Sequence, residues 1–180
     1  MAIASTLRTY ITRRDHRLMR RVNRWRAPRW VRLASVLATR MGDGWLWYFL
    51  APLILVFGGE LRYRALAASS LAALLGIAVF KSVKQVSRRP RPCEEEPHCW
   101  ATMLPPDQFS FPSGHTITAF GIAVPLAMLY PQAGPELFFA AACIGVSRVL
   151  LGMHYMSDVL AGALFGAVIG FGSHVLFTVM

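Results

Sequence analysis

Residues 158–179 read DVLAGALFGAVIGFGSHVLFTV, and beyond the opening Asp158 the stretch holds no Asp, Glu, Lys or Arg. At 1.5 Å per residue a helix of this length reaches about 33 Å, enough to cross a hydrocarbon core of roughly 30 Å. Gly162, Gly166 and Gly170 recur every four residues and so share one face, where a neighbouring helix can come close. The stretch predicts a membrane-crossing helix whose glycine face packs inside one bundle rather than at a dimer interface.

Four more crossings are expected upstream. Glu136 to about Gly152 is one, and Pro112 to Tyr130 is another, with Pro125 as a kink that neighbouring helices tolerate. Ala65 to Phe80 is a third and continues helically through Lys81 and Lys84. Gly44 to Gly59 is a fourth, opened by Trp45, Trp47 and Tyr48 as an interfacial belt. Between Ser87 and Ser110 lies a Pro-rich, charged loop, the one long excursion from the membrane. The expected fold is all-α, an integral membrane bundle of about five transmembrane helices occupying residues 42–180. Residues 1–41 form a separate basic region of interfacial helices. Thr12 to Arg26 carries Arg on most faces and a thin apolar stripe of Leu18, Met19, Val22 and Trp25. Trp30 to Thr39 has too few apolar residues between flanking arginines to cross, so it is expected to lie at the surface.

The composition agrees: 55% of the 180 residues are hydrophobic and 16% are charged, which excludes an ordinary soluble domain. The net charge of +10 comes without any nucleic-acid-binding motif, and eleven of the nineteen Lys and Arg fall in the first forty residues. That distribution points to an anionic membrane leaflet and not to nucleic acid. Where a signal peptide would be apolar, the N-terminus is Arg-rich. Cys143 sits in an apolar span as a packing residue; Cys93 and Cys99 are expected to be thiols, with a disulfide as the alternative.

Upstream of Asp158 stands Ser147-Arg148-Val149-Leu150-Leu151-Gly152-Met153-His154-Tyr155-Met156-Ser157-Asp158. His154 and Asp158 are spaced to share a helix face, so the carboxylate can accept a hydrogen bond from the imidazole. The other ring nitrogen then offers its lone pair as a nucleophile or metal ligand. Arg148 adds a planar fork suited to phosphate. Phe111-Pro112-Ser113-Gly114-His115 puts a Ser cap, a glycine and a histidine at a helix N-terminus, where free amides and the dipole favour an anion. The run Lys84 to Pro92 brings Lys84 and Arg91. Counting spans places all of these on one membrane face, a set suited to a tetrahedral oxyanion. His16 and His174 have no partner at a useful spacing and are expected to be structural, while Glu94, Glu95, Glu96 and His98 are expected in a solvated loop.

These three stretches resemble the signature motifs of the type 2 phosphatidic acid phosphatase family, K-x6-R-P, P-S-G-H and S-R-x5-H-x3-D, with every specified position filled. The similarity runs from about Arg40 to the C-terminus, although the usual first of six spans is missing. The resemblance implies a metal- and cofactor-free lipid phosphatase. In it His154 attacks phosphorus, Asp158 orients His154, and His115 protonates the leaving group and then activates water. Lys84, Arg91, Ser113, Gly114 and Arg148 would hold the phosphate oxygens. A haloperoxidase with vanadate on His154 and a non-catalytic scaffold are the competing classes. The spans disfavour the first, and the complete charged set disfavours the second. The expected partners are the bilayer and a lipid phosphate: phosphatidate, phosphatidylglycerol phosphate, or a polyprenyl phosphate or diphosphate. With five spans, seventeen of the nineteen Lys and Arg lie on the site's face and only Arg62 and Arg64 opposite, which predicts a multi-pass inner-membrane protein with a cytoplasmic site.

Overall fold

A computed structural model describes residues 2–95 and 107–179. Among these the chain is helical without strands: α1 (Ala2–Arg24), α2 (Arg29–Arg40), α3 (Leu46–Phe57), α4 (Arg62–Ser87), the short α5 (Pro92–Glu95), α6 (Gly114–Leu129), α7 (Gly134–Leu150) and α8 (Met156–Val179). Three helical stretches are long and apolar enough to cross a membrane, at Gly59–Glu95, Pro131–Leu150 and Met156–Val179, and α6 is a shorter apolar helix. The protein is a membrane-embedded, multi-span helical bundle.

α6 is the hub, packed between α4, α7 and α8. A Cβ on Gly162, Gly166 or Gly170 would stand 2.8, 2.4 or 2.6 Å from the carbonyl oxygens of Ser113, Ile117 and Gly121 respectively. The glycine face of α8 therefore lies on the α6 backbone, as expected from its spacing. α4 meets the hub with a stripe of small residues, Ala65, Ala68, Ser69, Ala72 and Gly76, at helical intervals. Small residues suit this role, because lipid gives helices no hydrophobic reason to associate and close van der Waals contact must hold them.

α3 is shorter than the expected crossing, and the residues flanking it meet the two ends of α6. Asp43, just before α3, is 2.7 Å from His115 in the first turn of α6. Beyond α3, the Gly58 carbonyl accepts from the Tyr130 hydroxyl at the end of α6 (2.9 Å). The break before α3 is the turn at Gly44, whose φ of 119° is open to glycine and strained for other residues.

α2 packs against α7, burying Ser35 and Thr39 and turning Trp30, Leu33 and Leu37 outward. α1 rests on the end of the bundle that carries the motifs. Met19 and Val22 are buried, and Met19 packs with Val149, Tyr155 and Val159. His16 is not without partners either, since its ring stands edge-on to Tyr155 and 3.4 Å from Glu95.

Candidate active site

The turn between α7 and α8 is built by backbone chemistry that its sequence supplies. Gly152, at φ 68°, takes the left-handed position after α7. Its N–H donates to Val149 O (3.0 Å) and the Met153 N–H to Arg148 O (3.0 Å), the two bonds of a Schellman motif. The His154 N–H also reaches Arg148 O, at 3.1 Å. One carbonyl thus fixes His154 beside the residue whose guanidinium faces the site. α8 then opens with Asp158 Oδ2 accepting the Tyr155 N–H at 2.8 Å, the reciprocal half of a capping box.

His154 is buried, and its Nδ1 lies 2.6 Å from the Ser110 carbonyl. A carbonyl only accepts, so Nδ1 carries the proton and Nε2 presents the lone pair. The tautomer is the expected one, but its cause differs. Asp158 Oδ2 is 3.7 Å from Nδ1, beyond hydrogen-bonding distance, and serves as a nearby charge. Burial first, then the charges of Arg148, Arg91 and Lys84, hold the His154 pKa well below its ordinary value, so the ring stays neutral.

Arg148 is 2% exposed, and only its Nη1 has a partner among the described residues, donating to Thr39 Oγ1 at 2.7 Å. Nε and Nη2 are buried without one. Lys84 and Arg91 converge on a carboxylate that sequence reasoning missed. Lys84 Nζ donates to Asp107 Oδ1 and Oδ2 (2.8 and 2.7 Å), and Arg91 Nη2 donates to Oδ1 (2.7 Å). Burial would raise the Asp107 pKa, but these bonds outweigh it and hold the group below its usual range, ionised. Arg91 Nη1 donates to Met153 O (2.7 Å) and stands 3.3 Å from His154 Nε2. His115 Nε2 is held by Asp43 Oδ1 at 2.7 Å, a second partner that spacing did not reveal.

One cavity of about 1010 Å³ joins these groups. Lys84, Arg91, Asp107, Gly114, His115, Arg148 and His154 line one part of it, and the rest runs along Ile54, Leu66 and Leu126. Ser113 and Asp158 do not line it. Ser113 is fully buried, its N–H donates to Asp158 O (3.1 Å) and its Oγ accepts from Thr116 (2.9 Å), so it joins α6 to α8. A Cβ on Gly114 would stand 3.2 Å from the Phe80 ring. Glu95 is not merely solvated, since it accepts from the Tyr155 hydroxyl at 2.8 Å. Cys99, Glu96 and His98 lie outside the described residues, as does any Cys93–Cys99 pairing. No cluster of His, Cys, Asp and Glu that could hold a metal occurs among the described residues.

Comparison with known proteins places this arrangement. The chain is 31% identical over 162 residues to the lipid A 1-phosphatase of Rhizobium johnstonii, a match covering 79% of this chain and 66% of the relative. It is 32% identical over 146 residues to phosphatidylglycerophosphatase B of Bacillus subtilis, covering 68% and 65%. The chain thus spans about two thirds of the length of these relatives. The crystal structure of Aquifex aeolicus LpxE superposes with a TM-score of 0.70 at 28% identity, over 87% of this chain and 92% of that one. The family pattern of the PAP2 superfamily matches residues 64–179, which include all three motifs, and the chain belongs to that superfamily.

Proposed function

We propose that the protein hydrolyses the phosphomonoester or diphosphate headgroup of a membrane lipid through a phosphohistidine on His154. The observation that carries this reading is the cavity itself. Arg148, whose Nε and Nη2 have no partner among the described residues, and His154 with its Nε2 lone pair line one end, and an apolar lane continues from it between α3 and α4. Such a space takes an anionic head and an apolar chain together.

His154 Nε2 attacks phosphorus, the P–O bond to the leaving group breaks, and the imidazole becomes positively charged beside Asp158. Arg148, Arg91 and Lys84 neutralise the charge that gathers on the phosphoryl oxygens. The phosphate takes the place of the Asp107 carboxylate on the last two. His115, with Asp43 as counter-charge, gives a proton to the leaving oxygen and later removes one from the attacking water. Lys84, Arg91, Gly114 and Arg148 remain the proposed phosphate ligands, with no metal or cofactor; Ser113 and Asp158 act from behind them. Against a haloperoxidase stands the apolar lane, which a small oxidant and a halide do not need.

The test is phosphate release by purified protein from phosphatidate, phosphatidylglycerol phosphate, lipid A and a polyprenyl diphosphate. Turnover of at least one of these, undiminished by excess EDTA, is expected. A strict need for added divalent metal contradicts the proposal.

The site is proposed to face the cytoplasm of a bacterial inner membrane. This rests on the eleven Lys and Arg of the first forty residues, each worth about 1 kcal/mol near an anionic leaflet. It also rests on α2, which meets α7 near the Arg148 end through Thr39. A Gln108→Cys substitution in a background lacking Cys93 and Cys99 is expected to resist an impermeant thiol reagent in intact cells and to react after lysis. Labelling of intact cells overturns this orientation and favours a polyprenyl substrate.

A further inference from the structure

α1 holds one acidic residue among its many arginines, and that residue is buried: Asp15 is 4% exposed. It shares a face with Met19 and Val22, one and two turns further on, the face that rests on the catalytic end of the bundle. Asp15 Oδ2 accepts from Arg89 Nη2 at 2.7 Å, and its Oδ1 accepts the Ser157 N–H at 3.1 Å. The other nitrogen, Arg89 Nη1, donates to Asp158 Oδ1 and to Ser157 Oγ, both at 2.7 Å. The guanidinium lies over the Tyr155 ring, 4.2 Å from its centre. A single arginine thus ties the surface helix to the first turn of α8, next to His154.

Asp158 is fully buried, and a buried carboxylate stays ionised only beside a counter-charge. His154 does not supply one before the reaction, because its ring is neutral and its Nδ1–H points to Ser110. Arg89 does. The chemistry needs that ionised Asp158 later, when the ring has taken the phosphoryl group and become cationic 3.7 Å away. We infer that Arg89 is a positioning residue that keeps Asp158 charged and fixed for this step, and that Asp15 makes docked α1 a working part of the active site. Neither residue lines the cavity, so neither touches the substrate. The inference rests on the proposed phosphohistidine chemistry.

The experiment uses the full-length protein in detergent with a short-chain, water-soluble lipid phosphate, and compares kcat with KM. Wild-type turnover of this substrate is the control: its absence defeats the functional proposal itself, whereas the variants address only the relay. Arg89→Gln is expected to lower kcat by about 10²-fold with KM within about two-fold, and Arg89→Lys to recover most of the loss. Asp15→Asn, which keeps the shape of the side chain, is expected to lower kcat by about ten-fold. It should add little in the Arg89→Gln background, because the two act in series. Thermal midpoints are measured alongside. Three results overturn the inference: midpoints that fall while kcat is kept, a rise in KM at constant kcat, or effects of Asp15→Asn and Arg89→Gln that simply multiply.

Discussion

Replacing His154 by alanine is expected to remove turnover of every substrate, whereas His115→Ala should still pass the phosphoryl group to His154 where the leaving group is good. His154 has its proton fixed on Nδ1 by Ser110, and its Nε2 presents the lone pair 3.3 Å from Arg91 Nη1, among the cations that would hold the phosphate. His115 has a different task. A lipid alkoxide is a poor leaving group and needs a proton, at a cost of about 10²- to 10⁴-fold when the donor is lost, whereas an aryl oxide leaves without one. Initial phosphoryl transfer from an aryl phosphate and from a lipid phosphate, measured for both variants, separates the roles. Equal losses on the two substrates for His115→Ala contradict the division.

The second large effect is expected at Arg148. Its fork is buried, held at Nη1 by Thr39, and presents Nε and Nη2 without a partner among the described residues. Removing one preorganised donor to transition-state charge costs about 10²- to 10³-fold in kcat, and Arg148→Ala should fall at or beyond that range. Arg148→Lys should not restore activity, because an ammonium group cannot replace two donors set in a plane while also bonding Thr39. Full recovery with lysine would show that charge alone matters there. Thr39→Val, which frees the fork without removing it, is expected to cost far less than Arg148→Ala.

The bundle was legible where the determinant was local. The uncharged run of α8, its glycine interval and the apolar length of α4 and α7 each announce a packed crossing. The Gly152 turn likewise sets His154 at a fixed distance from Arg148. What the sequence hid is long-range. Asp107, Asp43, Asp15 and Thr39 pair with Lys84 and Arg91, His115, Arg89, and Arg148 across separations for which no spacing rule exists. The hydrogen bond from His154 goes to a backbone carbonyl at Ser110, which any residue type would supply, so the four-residue interval to Asp158 suggested a partner that geometry places too far away. At Ser113 the bond from its amide to the Asp158 carbonyl, which joins α6 to α8, was likewise not legible, because a cap position says nothing about contacts to another helix.

The central claim is a covalent bond between phosphorus and His154. If His115 also activates the water of the second step, a His115→Ala protein given an aryl phosphate should form the intermediate and fail to discharge it. Quenching that mixture in alkali, where a phosphohistidine survives, and sequencing the peptides by mass spectrometry is expected to find phosphate on His154. Phosphate on another residue, or an unmodified His154 peptide while the aryl alcohol is released in a burst, would contradict it.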